Sequence, residues 1–246
     1  MLTQKIYLPE GQAACVFPNQ PEDLAKTIST LDLEDGYPVI VLIGGNIPER
    51  QATVTSGAIQ TLARVAEEMS ALVICGGTDM GVMAEIGQTR QQNGYKFPLV
   101  GITLRALVTW PGGPPSRHFL WWGKKRWKLA PYYSHFILVP GTEFGDESPW
   151  IVDAATHLSK GHRSVTVLIN GGDVSRKDIE LSVASGRPVI ALGGTGRLAN
   201  DLASEPRQNL ITVVPGNAEN RVYEAVRAAI SGAEQSAATP ALVSAN

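Results

Sequence analysis

The sequence predicts an α/β fold in which an open, mostly parallel sheet of about seven strands has helices on both faces. Short runs of β-branched residues recur along the chain, and stretches of roughly ten to twenty residues with helical spacing separate most of these runs. Glycines also follow six of the seven runs, as is usual where a strand turns tightly into a helix. The predicted strands lie at residues 39–43, 72–75, 99–102, 136–139, 165–169, 189–192 and 211–214.

The remaining elements follow from local spacing. Residues 5–17 predict one or two edge strands, and residues 21–30 predict a short helix. Apolar residues at helical spacing behind Pro48 predict a long helix, and Thr78 or Asp79 is a suitable N-cap for the next one. Further helices are predicted at residues 150–159, 176–184, 198–203 and 218–230.

Length and composition exclude several classes of protein. The chain has 246 residues, 43% of them hydrophobic and 18% charged, which is typical of a globular protein with a packed core. We expect a single domain over residues 1–230, with an insertion at 103–133, followed by a disordered tail at 231–246. The net charge of −2 gives no general attraction to nucleic acid, so we expect no nucleic-acid partner.

The cysteines and the apolar runs bear on the cellular compartment. Cys15 and Cys75 are too few for a disulfide framework, and Cys75 lies in an apolar run that predicts a buried strand. The longest apolar runs fall far short of the ~20 residues that are needed to span a bilayer. We therefore expect a cytoplasmic protein with no membrane span.

The glycine turns converge on one edge of the predicted sheet. Parallel strands end at the same carboxyl edge, where ligands bind at a change of strand order. Glycine lets the backbone approach a phosphate, and the N–H groups that start the next helix favour an anion, although a tight turn alone also explains any single pair. These turns contain neither the GxGxxG nor the GxxxxGK[ST] motif. The glycines concerned are Gly44, Gly45, Gly76, Gly77, Gly141, Gly171, Gly172, Gly193, Gly194 and Gly216.

Residues 75–85, CGGTDMGVMAE, form the most specific motif of the chain. They resemble the GGT-x-x-GVM turn of the SLOG superfamily, in particular the cytosolic N-terminal domain of melastatin-type TRP channels and its free-standing prokaryotic relatives. The resemblance implies a Rossmann-like fold that binds nucleotides or nucleotide-derived signals. ADP-ribose and its cyclic relatives are the ligands of the channel branch and of some bacterial defence proteins. Further blocks match in the same order at residues 36–46, 132–141, 167–173 and 186–203.

The resemblance also implies a set of ligand-facing residues. It places the main phosphate and ribose cradle at the turn after the second strand, with further loops after other strands. Asp79 stands where the channel proteins typically have Asn, and it is equally compatible with accepting ribose hydroxyls or with capping the helix. The predicted ligand-binding residues are Gly44, Gly45, Gly76, Gly77, Thr78, Asp79, Gly81, Val82, Gly141, Thr142, Gly171, Gly172, Gly193, Gly194, Thr195, Gly196 and Arg197.

A phosphate that is bound by a chain of negative net charge needs a cation. Arg197, in the GTGR turn, is the first candidate for a bidentate phosphate partner, with an exposed salt bridge as its alternative role. Arg50 and Arg105 also follow predicted strands and are weaker candidates. We expect no metal and no cofactor beyond the nucleotide ligand, and we expect a homo-oligomer.

Catalysis is the alternative to ligand sensing. The same superfamily includes phosphoribohydrolases, which cleave the N-glycosidic bond of nucleoside monophosphates and carry a PGGxGTxxE motif. Residues 140–147, PGTEFGDE, lack the second glycine and the GT step of that motif. Glu147 is the candidate catalytic residue of this alternative, because glycosidic cleavage needs a carboxylate near the bond. The broken motif favours a sensing domain over a hydrolase.

Residues 103–133 interrupt the alternation of strands and helices. This stretch is longer than connections usually are in compact domains unless they serve a function. It contains four of the five tryptophans, Trp110, Trp121, Trp122 and Trp127, among several lysines and arginines. We predict a mobile lid or an assembly surface, with burial of the tryptophans under the loop or in a subunit interface as the alternative.

Overall fold

A computed structural model describes residues 3–33, 36–114, 125–160, 163–205 and 209–231. The strands are β1 (Gln4–Leu8), β2 (Gly11–Val16), β3 (Val39–Gly44), β4 (Leu72–Cys75), β5 (Leu99–Leu104), β6 (Val108–Thr109), β7 (Trp127–Lys128), β8 (His135–Val139), β9 (Ser164–Ile169), β10 (Val189–Gly193) and β11 (Ile211–Pro215). The α-helices are α1 (Leu24–Ile28), α2 (Ala52–Glu68), α3 (Gly81–Gln92), α4 (Ser148–Ser159), α5 (Asp173–Ala184), α6 (Arg197–Ser204) and α7 (Glu219–Ser231). Short 3-10 helices at Pro21–Asp23 and Glu49–Gln51 precede α1 and α2.

The main sheet confirms the predicted α/β fold. Its order is β1-β2-β8-β5-β4-β3-β9-β10-β11, and every neighbouring pair is parallel except β1 with β2. The sheet has nine strands rather than about seven, because both strands of the N-terminal hairpin extend it beyond β8. The sequence predicted that hairpin only as one or two strands at an edge.

The strand order reverses beside β3. The chain runs from β3 through β4 and β5 to β8 on one side, and then returns to place β9 against the other side of β3. Strands β3 and β9 pair in parallel from Val39 opposite Ser164 to Gly44 opposite Ile169. Since the connections diverge to opposite sides at such a reversal, a crevice opens at the carboxyl edge between β3 and β9.

Two apolar layers hold the helices against the sheet. Strand β3 is buried on both faces, with Ile40 and Leu42 facing one layer and Val39 and Val41 facing the other. Helices α2, α3 and α7 pack on the first face, and α1, α4, α5 and α6 pack on the second. Within the part of the chain that the structure describes, no helix is long and apolar enough to cross a bilayer.

The prediction of a loop over residues 103–133 is wrong near both ends of that segment, where the structure has β-strands. Strand β5 continues through Leu104, and β6 pairs in parallel with β7. Trp110 packs partly buried against the core, with its ring centroid 6.3 Å from that of Phe17. These ends are ordered because they bury apolar side chains, a tertiary effect that the irregular local spacing does not reveal. Trp121 and Trp122 lie outside the described residues.

Some predicted boundaries also need correction. Helix α3 begins at Gly81 with Met80 at the N-cap, so the prediction that Thr78 or Asp79 caps it is wrong. The physical reason is that the Asp79 N–H donates to the carbonyl of Lys128 at 2.8 Å, which keeps the chain extended before the helix. Ser231, predicted to start the tail, is the last residue of α7, and residues 232–246 lie outside the described residues.

Candidate functional site

A cavity of about 520 Å³ lies at the carboxyl edge beside the reversal between β3 and β9. The ends of β3 and β4, the start of α5 and the first residue of α6 contribute to its walls. Six of the predicted ligand-binding residues line it: Gly44, Gly45, Gly76, Thr78, Gly172 and Arg197. The others do not: Gly77, Asp79, Gly81, Val82, Gly141, Thr142, Gly171, Gly193, Gly194, Thr195 and Gly196. Ligand contact by any of these residues stays a prediction.

Arg197 is exposed and lies across the opening of the crevice. Its backbone has a φ of +40°, a left-handed conformation that is uncommon for a residue other than glycine. A Cβ built on Gly172 would meet the guanidinium carbon at 3.0 Å, and one built on Gly45 would lie 3.9 Å from Nη1. The guanidinium therefore lies between the loops that follow β3 and β9. Within the described ranges no residue forms a hydrogen bond or ion pair with it.

The N-terminus of α5 faces the same opening. Gly172 occupies the N-cap without a side chain, and the N–H of Arg176 is the first to donate within the helix, to the Gly172 carbonyl at 2.9 Å. No acceptor in the described part of the chain bonds the backbone N–H groups of residues 173–175. Free N–H groups and the positive end of the helix dipole favour an anion at this point, although the Asp173 carboxylate stands in the same turn.

The predicted cradle at the start of α3 has fewer free donors. The N–H of Val82 donates to the Gly45 carbonyl at 3.2 Å, and the N–H of Met80 donates to the Thr78 carbonyl at 2.8 Å. Gly81 is glycine because of packing: at its φ of +50° a Cβ would collide with the backbone of Gly45. This turn thus joins α3 to the loop after β3, and Thr78, which is buried, supplies part of the cavity wall.

The turn after β10 is closed by its own side chains. The Asn200 carboxamide oxygen accepts the N–H of Gly194 at 2.7 Å and that of Gly196 at 3.2 Å. The Thr195 hydroxyl accepts the N–H of Asn170 at 2.9 Å, which ties the turn to the end of β9. These bonds use the donors that a phosphate would need and place Arg197 over the neighbouring loop.

The turn after β8 holds carboxylates in the same way. Asp146 Oδ2 accepts the N–H of Thr142 at 2.8 Å and that of Glu143 at 3.2 Å, and these bonds lower the pKa of Asp146. Glu147 Oε2 accepts the N–H of Gly145 at 2.8 Å. The backbone donors of this turn therefore already bind anionic groups of the chain itself.

Glu147 and Asp178 bring two carboxyl groups into the cavity wall, where they are 6% and 7% exposed. Burial raises the pKa of Asp178 to about 6, against the lowering effects of the nearby Ser148 hydroxyl and the Lys177 ammonium. Burial also raises the pKa of Glu147, and the charge of Asp178 adds to that increase. Sequence reasoning missed Asp178, because no motif marks it. The sequence feature that could have indicated Asp178 is its helical spacing: it lies three residues after Ser175, on the buried face of α5.

An aromatic and thioether surface completes the cavity. Trp127 is half-buried in the cavity wall, and the Lys125 ammonium lies 4.6 Å from the centroid of the Trp127 ring. Phe144, whose exposed fraction is 39%, lines the same cavity, as do Met80 and Met83. Flat and polarizable side chains of this kind suit a planar ring of a ligand.

The weaker candidates lie elsewhere. Arg50 donates to Gln51 at 3.3 Å and Arg105 donates to Asn19 at 3.1 Å, and neither lines the cavity. His135 begins β8, and burial lowers its pKa to about 4. The residues that the structure describes contain no group of three or more His, Cys, Asp or Glu that could hold a metal ion.

Comparison with known proteins identifies the family. The family model described as "SLOG in TRPM, prokaryote" matches residues 37–232, and the chain belongs to this family. No curated protein matches the chain.

Two solved structures are similar in fold. The X-ray structure of TM1055, a structural genomics target, has a TM-score of 0.51 and 20% identity, over 76% of this chain and 98% of that one. The molybdenum cofactor carrier protein from Chlamydomonas reinhardtii has a TM-score of 0.51 and 17% identity, over 79% of this chain and 99% of that one. At these identities the two structures support the Rossmann-like fold alone.

Proposed function

We propose that this protein binds a nucleotide-derived ligand, such as ADP-ribose, in the cavity at the carboxyl edge. The observation that carries the proposal is the Arg197 guanidinium, which lies over Gly172 at the N-terminus of α5 without a partner in the described ranges. A cation and a helix N-terminus that face one opening form a binding site for phosphate. Membership of the SLOG family supports a nucleotide as the bearer of that phosphate.

The arrangement suggests how the ligand lies. Its phosphates bind beneath Arg197 at residues 172–175, where backbone donors are free, rather than at residues 76–81. Gly45 and Gly76 form part of the adjacent wall without side chains, so that a ligand can approach the backbone. The base then packs on the side of the cavity that contains Trp127.

The first prediction concerns Arg197. Arg197→Ala is expected to weaken binding of ADP-ribose by roughly ten- to a hundredfold, equivalent to about 1.5–3 kcal/mol for a lost charge-assisted hydrogen bond. Isothermal titration calorimetry at fixed salt measures the change. Arg221→Ala is the matched control, since it removes the same charge from an exposed position on α7 outside the cavity. Unchanged affinity in Arg197→Ala would remove this residue from the site.

The ligand can also be sought without assuming its identity. Mass spectrometry of small molecules that are retained by the purified protein should detect a phosphorylated nucleoside. The same preparation of Arg197→Ala should retain less of it. A retained compound without phosphate would contradict the proposed site.

Glycosidic hydrolysis is the second candidate function, favoured by the buried position of Glu147 in the cavity wall. Against it, the N–H groups of Thr142 and Glu143 already bind Asp146, so the turn after β8 has little capacity left for a monophosphate. We therefore predict that no free base is released when the protein is incubated with the common nucleoside monophosphates. Chromatography after prolonged incubation tests this. Base release that disappears in Glu147→Gln would overturn the sensing proposal and make Glu147 catalytic.

The predicted homo-oligomer, cytoplasmic location and single domain over residues 1–230 remain part of the proposal. Size-exclusion chromatography with light scattering would determine the oligomeric state, with and without ADP-ribose.

A further inference from the structure

Asp178 is a buried acid with one oxygen unsatisfied. Its side chain lines the cavity at 7% exposure, and no donor in the described part of the chain bonds its Oδ1. A buried carboxylate that lacks partners costs considerable free energy of folding. Such a group is retained where a bound molecule supplies the missing hydrogen bonds.

The neighbouring groups leave Asp178 available. The Lys177 ammonium donates a hydrogen bond to the Gly145 carbonyl at 2.6 Å instead of to Asp178. Glu147 is occupied on one oxygen by the Gly145 N–H, and its negative charge adds to that of Asp178. The buried Ser148 hydroxyl lies near Asp178 and lowers its pKa, but Ser148 does not line the cavity. The wall here therefore offers carboxylate oxygens as hydrogen-bond acceptors to a ligand in the cavity.

The cavity consequently has two ends of opposite character along α5. Asp178 lies five residues after Asp173, which corresponds to a rise of roughly 7.5 Å from the helix N-terminus. The free N–H groups and Arg197 attract an anion at the first end, and the carboxyls at the second end attract hydrogen-bond donors. A sugar that carries a phosphate presents both kinds of group in this order.

We propose that Asp178 accepts hydrogen bonds from the sugar hydroxyls of the ligand, and thereby selects ribose-containing nucleotides over their deoxy analogues. The inference rests on the proposed function. A metal ion would fit less well, since no third ligand joins Glu147 and Asp178 within the described ranges. Asp178 is thus a specificity-determining residue of the site.

The test measures binding of ADP-ribose and of analogues that lack one hydroxyl on either ribose. The wild type is expected to bind at least one deoxy analogue roughly tenfold or more weakly than ADP-ribose. Asp178→Asn is expected to bind ADP-ribose roughly tenfold or more weakly than the wild type does. The variant is also expected to bind that deoxy analogue as tightly as it binds ADP-ribose, because the discrimination is lost. Glu180→Gln is the matched control, because Glu180 is an exposed acid on the same helix outside the cavity.

The outcomes separate this inference from the proposed function. If the wild type binds ADP-ribose and Asp178→Asn retains both its affinity and its discrimination, the role of Asp178 is wrong and the proposed function stands. If the wild type does not bind ADP-ribose or any analogue, the proposed function fails and this inference fails with it. A merely structural role for Asp178 would change affinity for all the ligands equally, and it would leave the discrimination intact.

Discussion

Replacement of Gly81 by alanine is expected to lower the free energy of unfolding by about 3 kcal/mol or more, a large effect for one methyl group. Gly81 has a φ of +50°, and a Cβ there would lie 2.8 Å from the Gly45 carbonyl carbon and 2.9 Å from the Asn46 Cα. Both neighbours are backbone, so the loop after β3 has to move. Because Gly45 and Asn46 line the cavity, the displacement should also weaken ligand binding.

Gly94→Ala provides the control for this prediction. Gly94 has a similar φ of +67°, but nothing lies within 4 Å of a Cβ built on it. Its replacement should cost only the left-handed backbone conformation, roughly 1–2 kcal/mol. Chemical denaturation of both variants measures the difference. Equal losses would show that the contact between α3 and the loop after β3 yields easily, and would contradict the steric explanation.

Asp178→Asn is expected to raise the free energy of unfolding at pH 7 by up to about 3 kcal/mol. Burial raises the pKa of Asp178 from 3.8 to about 6, so between these pH values the folded state binds more protons than the unfolded state. Stability of the wild type should therefore fall as the pH rises from about 4 to 6 and then level off. The asparagine variant lacks this ionisation and should lose that part of the pH dependence.

Denaturant titrations between pH 4 and pH 8 measure both effects. Asp201→Asn serves as the comparison, since it changes the same functional group at an exposed position on α6. If Asp178→Asn is less stable than the wild type at pH 7, the carboxylate has favourable partners in the folded protein. A stabilised variant that binds ADP-ribose more weakly would show that Asp178 serves the ligand at the expense of stability.

Much of the fold was predictable because its determinants are local. The strand at residues 72–75 was predicted with its observed bounds, and the other six predicted strands each extend by one or two residues. Alternation of β-branched runs with helical spacing is sufficient for this, since parallel strands are buried on both faces and require a helical crossover. Helix ends were less predictable. Helix α5 begins at Asp173 rather than at residue 176, because glycine and charged residues at its start conceal the helical spacing.

The sequence determined the fold class, the carboxyl edge and six of the residues around the cavity, because strand direction and glycine turns follow from neighbouring residues. It did not determine which backbone donors are free. Those of Val82 and Gly194 are taken by Gly45 and Asn200, whereas those at the start of α5 have no acceptor among the described residues. Asp178 joined the cavity only through the packing of α5 against α4. Hydrogen bonding and burial of this kind depend on contacts between residues that are distant in sequence, and only the folded chain brings those residues together.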